Sequence, residues 1–210
     1  MELKEFVTDF ASALARVDAS RPQALNARSG APYQPGIGPH TEPRTVELVI
    51  SNIKATKPES YIRAAHLAIP YGSSRDKCDI CIGEPPGWEW AIEVKMIRML
   101  GDNGKPNDNL IAHILSPYPS QRSALTDCTK LVQSQLHGRK AILVYGYDYP
   151  EFPLDPLIAA FELLAADRVR IRNRTEASFG GLIHPVHTQG RVCAWEIDAA
   201  VAAESGVSLL

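Results

Sequence analysis

Hydrophobic and polar positions change their period several times along the chain. Leu3, Phe6, Val7, Phe10, Leu14 and Val17 recur at helical spacing and predict an amphipathic helix over residues 2–17. A second stripe, Val46, Val49, Ile50 and Ile53, predicts a helix over 41–54, with Thr41 as N-cap and Pro43 in its first turn. Residues 18–40 lie between them and carry four prolines and three glycines. A loop that long is either functional or loosely ordered. Residues 60–70 read as a strand or as a helix end leading into one, and a strand near 64–70 is favoured. The period then becomes two. Residues 78–97 contain two apolar runs joined by Gly83-Glu84-Pro85-Pro86-Gly87, which predicts a β-hairpin with a five-residue loop.

After the hairpin comes a polar stretch, 101–109, and then a helix within 120–137 that buries Leu125, Cys128, Leu131, Val132 and Leu136. Ala141 to Tyr145 is an unbroken apolar run, as in a strand buried on both faces. A helix precedes it, which favours a crossover to a parallel position. Tyr145, Tyr147 and Tyr149 then alternate past its end, as an aromatic edge of the core or as stacking surfaces for bases. Asp155-Pro156 opens another helix, with Asp155 as its cap. Residues 181–197 read as a hairpin turning near Gln189-Gly190, and the tail from Asp198 as a short helix. The fold expected is α/β: a central mixed β-sheet flanked by helices, with a C-terminal β-hairpin extension. It forms one domain over 1–210, with a core at about 40–150 and a helix and β extension at about 151–210.

Alternation assigns the faces of the hairpin. Cys78, Ile80 and Ile82 point one way, and Asp79 and Cys81 the other. Trp88, Trp90, Ile92, Val94 and Met96 share a face, opposite Glu89, Ala91, Glu93 and Lys95. If both apolar faces turn to one core, Asp79, Glu93 and Lys95 meet on the other side. Paired strands lie roughly 5 Å apart and same-face neighbours about 7 Å apart. Two carboxylates and an ammonium in that space suit a hard divalent cation, which takes oxygen ligands and keeps several waters. The lysine is placed to position one of those waters or to offset developing charge. The chemistry suggested is metal-assisted phosphodiester hydrolysis.

Asp79, thirteen intervening residues, then Glu93-Val94-Lys95 resembles the PD-(D/E)XK motif of restriction-endonuclease-like nucleases, with Cys78 where that motif has proline. The resemblance covers residues 40–150 in layout and 79–95 in motif. It implies a restriction-endonuclease-like core, Asp79 and Glu93 as ligands of Mg²⁺ (or Mn²⁺ as a substitute), and Lys95 orienting the attacking water. It also implies a further acidic residue on the preceding helix. Glu47 is the choice for that role, with Glu42 as the alternative. The activity implied is endonucleolytic cleavage of double-stranded DNA of the type II restriction kind, by a homodimer. A repair or structure-specific nuclease of the same fold is one alternative, and a non-catalytic nucleic-acid-binding subunit another.

Charge changes the picture in one place. The net charge is −2, so the chain is not a globally basic nucleic-acid binder, and phosphate contacts need a local cluster. Arg168, Arg170, Arg172 and Arg174 alternate with Val169, Ile171 and Asn173. On a strand they share one face at about 7 Å spacing, close to that of backbone phosphates. They are the candidate DNA-binding residues, with a charged edge strand as the plainer reading. Gln121, Arg122 and Lys130 are weaker candidates on the helix after the hairpin.

The four cysteines form no dense framework, which fits a reducing cytoplasm. No apolar run approaches the roughly 20 residues of a membrane span. Cys78, Cys81, His184 and His187 have a zinc-like spacing, but strand alternation sets the two cysteines on opposite faces.

Overall fold

In a computed structural model, which describes residues 1–72, 76–107 and 110–199, the chain forms an α/β fold around one six-stranded mixed sheet. The helices are α1 (Leu3–Ala19), α2 (Glu42–Thr56), α3 (Pro58–Tyr61), α4 (Leu110–Leu115), α5 (Ala124–Gln133) and α6 (Asp155–Ala166). The strands are β1 (Ala65–Pro70), β2 (Lys77–Glu84), β3 (Gly87–Ile97), β4 (Arg139–Tyr147), β5 (Val169–Gly180) and β6 (Gln189–Ala199), in the order β1-β2-β3-β4-β6-β5. β1, β2 and β3 pair antiparallel, and β4 lies parallel to β3 as its crossover implied. Among the described residues no helix is long and apolar enough to cross a membrane.

The sheet is covered on both sides. α1 and α2 pack on one face against Ile80, Ile82, Trp90, Ile92, Val94, Leu143 and Tyr145. α5 and α6 cover the other, where Cys81, Ala91, Ile142, Val144, Cys128, Phe161 and Trp195 meet. β4 alternates between the two clusters and is buried on both faces, which explains its unbroken apolar sequence. Tyr145, Tyr147 and Tyr149 are buried in the core rather than offered to bases.

Two irregularities break the alternation expected of the hairpin. Ala68 has a positive φ of 54°, and its neighbours Leu67 and Ile69 pair with Ile80 and Cys78. Cys78 packs with Cys81, not with Ile80 and Ile82. The second is a register shift at Ile82/Gly83, which sends Trp88 to the Cys81 side of the sheet while Trp90 stays on the α1 side. Gly83 carries this bulge at φ 117°, where a Cβ would lie 2.7 Å from the Glu89 amide nitrogen. Because Glu84 pairs with Gly87, the turn between the strands is two residues, Pro85-Pro86, not the five expected.

The C-terminal half differs from expectation in three ways. β5 and β6 form one long antiparallel hairpin whose connection is 181–188, and Gln189-Gly190 begins β6 instead of forming the turn. Asp155 is the first residue of α6, not its cap, and pairs with Arg191. Asp198 and Ala199 extend β6, and the rest of the expected C-terminal helix lies outside the described residues. The 18–40 loop is tied down: Asp18, buried at the end of α1, accepts from the Ile37 amide (2.9 Å) and the Ile183 amide (2.7 Å).

Candidate active site

The site is a fork in the sheet. β2 stays paired with β1 down to Lys77, but its register with β3 ends at Ile80 and Ile92. Past that point β3 runs on with a free edge toward β2. Backbone N–H groups on such an edge need partners, and carboxylates supply them. Asp79 Oδ2 accepts from the Val94 amide at 2.8 Å, and Glu42 Oε2 from the Met96 amide at 2.6 Å. The strands thus place Asp79, Glu93 and Lys95 together, as the alternation required, in a cleft of about 1600 Å³ that α5 and the start of α2 complete.

Glu42, not Glu47, is the acidic residue that α2 brings to this cleft. Glu42 is the first residue of the helix and projects past its end onto β3, with Oε1 3.7 Å from Lys95 Nζ. Five residues further on, about 140° around the helix at 3.6 residues per turn, Glu47 is exposed and pairs with Arg44 at 2.9 Å. The apolar stripe of α2 located the helix but did not say which residue would overhang its end.

Three participants are new or promoted. Asp127 on α5 is buried and lies 2.6 Å from Lys95 Nζ. Lys130, one turn later, reaches both Asp127 (2.8 Å) and Glu93 Oε1 (3.0 Å). Tyr71 donates its hydroxyl to the same Glu93 oxygen. The sequence marked Lys130 as a weak candidate and gave no sign of Tyr71 or of the role of Asp127. The one signal was placement: Asp127 is an acid set between Leu125, Cys128 and Leu131, inside the buried stripe of its helix.

The electrostatics mark an excess of negative charge. Burial pushes the Glu42 carboxyl up to about 7, against the pull of Lys95, and the charge of Asp79 adds to the rise. Glu93 is raised well above the usual carboxylate range by burial and then by Asp79 and Asp127. Burial opposes the charge on Lys95, but Glu42 and Asp127 outweigh it and hold the ammonium above the ordinary lysine range. Lys95 is therefore a fixed positive charge at neutral pH and not a proton acceptor. Four carboxylates (Glu42, Asp79, Glu93, Asp127) face two ammonium groups (Lys95, Lys130). That deficit of positive charge and the oxygen-only donor set suit a hard divalent cation in charge and donor type, but among the described residues no three of these carboxylates bring ligating atoms within 4.8 Å of one another, so they would have to draw in around an ion.

The arginine row is not assembled there. Arg168 precedes β5 and lines the cleft, but Arg170, Arg172 and Arg174 lie on the edge strand at the far side of the sheet. Arg172 pairs with Asp198 (2.8 Å) and Glu196 (3.7 Å), and Arg174 with Glu176 (2.7 Å) and Glu162 (3.2 Å). A bulge between Arg172 and Thr175, with Asn173 at φ 51°, breaks the single face they were expected to share. The exposed cations at the cleft are Lys77, Arg122 and Arg168, which make no ion pair among the described residues.

The histidine pair does not join the cysteines. His184 stacks on His187 with ring centroids 4.5 Å apart, beside Asp102, and the ligating atoms of the three lie within 4.8 Å of one another. A cation could be shared at that spacing, but the hydrogen bonds oppose it. His184 Nδ1 accepts from the amides of Val186 and His187 at 3.2 and 3.3 Å. Its proton therefore sits on Nε2, leaving no lone pair to face Asp102. His187 Nε2 lies 3.1 Å from Asp102, and its Nδ1 lies 2.7 Å from the Tyr149 hydroxyl. The trio braces the segment around Asp102 against the 181–188 loop. All four cysteines are free and buried.

Compared with family models, curated proteins and solved structures, the chain matches none.

Proposed function

We propose that this chain is a Mg²⁺-dependent nuclease of the PD-(D/E)XK type, hydrolysing phosphodiester bonds of double-stranded DNA in the manner of a type II restriction enzyme. The observation that carries this reading is the fork at Asp79, Glu93 and Lys95, with Glu42 completing a cluster in which carboxylates outnumber ammonium groups. The cleft exceeds the roughly 300–1,000 Å³ of a small-molecule pocket, which favours a polymeric substrate.

Asp79, Glu93 and Glu42 are the residues that would hold the cation. When bound, it supplies a water acidic enough to attack phosphorus near neutral pH and offsets charge on the phosphate. Lys95, held by Asp127, keeps a full positive charge beside the place where charge develops, which orients the water and stabilises the transition state. Lys77, Arg122 and Arg168 at the rim contact the DNA backbone. Cleavage of both strands calls for two such sites, hence a homodimer.

Digestion of unmodified phage DNA tests the reading. Discrete fragments that require Mg²⁺ support the restriction form, and a Mg²⁺-dependent smear moves the assignment to a repair or non-specific nuclease. DNA binding without cleavage under any divalent metal would leave a binding subunit and overturn the enzyme.

A further inference from the structure

We propose that Lys130 is a tethered counter-ion that occupies the Glu93 end of the site when no metal is bound and turns to substrate phosphate when one is. The inference rests on the divalent-metal reading of the site given above.

Glu93 Oε1 is engaged twice, by the Tyr71 hydroxyl and by Lys130 Nζ at 3.0 Å. The Lys130 ammonium also sits 5.2 Å above the centre of the Tyr71 ring, so three groups hold it over this carboxylate. A divalent cation ligated by Glu93 would arrive at the same oxygen. Two positive charges at such a separation in a partly buried cleft repel strongly, so metal entry must release Lys130 from Glu93. The second contact, to Asp127 at 2.8 Å, is one turn away on α5 and survives that release. Asp127 also holds Lys95 at 2.6 Å, so the tether and the water-orienting lysine share one buried anchor. Lys130 is about one-third exposed and lines the cleft, so the freed ammonium faces the space that the substrate backbone would fill.

This predicts two effects of opposite sign from one substitution. Removing a competing cation tightens metal binding, and removing a phosphate contact weakens DNA binding. A lysine needed only for packing would weaken both or neither.

The test is a calorimetric titration of the full chain with Mn²⁺ without DNA, for wild type, Lys130→Met and Lys130→Arg, with thermal melts to confirm folding. Lys130→Met is expected to bind Mn²⁺ about tenfold more tightly, the factor corresponding to one charge-assisted hydrogen bond, and Lys130→Arg to resemble wild type. DNA binding in Ca²⁺ is expected to fall several-fold in Lys130→Met. Equal or weaker Mn²⁺ binding by Lys130→Met, with wild type binding normally, overturns the counter-ion proposal and leaves the nuclease reading intact. Absence of Mn²⁺ binding by all three proteins overturns both.

Discussion

Replacing Glu42 by Gln should make the metal-free protein more stable while removing the proposed nuclease activity. The rise of the Glu42 carboxyl from 4.5 to about 7 corresponds to about 3 kcal/mol working against the ionised side chain well above pH 7. The side chain is 25% exposed, so water screens part of this, and about 2 kcal/mol is the expected gain in Glu42→Gln at pH 8. The amide oxygen of glutamine can still accept from the Met96 N–H. The sign follows from proton linkage. Between pH 4.5 and 7 the folded state holds a proton at Glu42 that the unfolded chain has released, so wild-type stability falls as pH rises through this window.

At pH 5 the advantage of the variant should therefore shrink, because folded wild type is then neutral at this position. For a domain of this size the pH 8 difference is about 4–8 °C in Tm, measured in EDTA. Added Mg²⁺ should raise the Tm of wild type and not that of Glu42→Gln. A lower Tm for the variant at pH 8, or the same difference at pH 5 and pH 8, would refute the reasoning. The control is Glu47→Gln, where an exposed pair with Arg44 should matter by no more than about 0.5 kcal/mol at either pH, with cleavage unchanged.

Other outcomes follow from the same contacts. Alanine at Lys77, Arg122 and Arg168 together should weaken DNA binding and flatten its dependence on log salt by about 2–3 units, whereas Arg172→Ala with Arg174→Ala should leave that slope unchanged, as fluorescence anisotropy at several salt concentrations would show. Burial opposes the charge on Asp102, but the His187 hydrogen bond and Arg98 outweigh it and keep its carboxyl below the usual range. Asp102→Asn should thus cost about 1–3 kcal/mol in a urea melt, with the loss vanishing as wild type is itself protonated at low pH.

The hairpin was the most legible part of the chain. Strand alternation needs only local sequence, and it brought Asp79, Glu93 and Lys95 to one place. It misplaced Cys78, and it misplaced Trp88 where the register shifts at Gly83. Glu42 was harder to assign than the helix it begins, because helical period fixes a face and not what overhangs an end. The arginine row shows the limit most clearly. Its spacing was read correctly as strand-like, but apart from Glu176 on β5 itself the carboxylates that occupy Arg172 and Arg174 come from β6 and α6, and pairing between distant segments is invisible to local pattern. Asp127 was hidden for a similar reason: its partner Lys95 lies on a different element.

The decisive measurement is cleavage of unmodified linear DNA by wild type and by Lys95→Ala, each with Mg²⁺ and with EDTA. The proposed site predicts cutting by wild type in Mg²⁺ alone, with loss of at least about a hundredfold in Lys95→Ala. Undiminished cutting by folded Lys95→Ala, or cutting by wild type in EDTA, would contradict it.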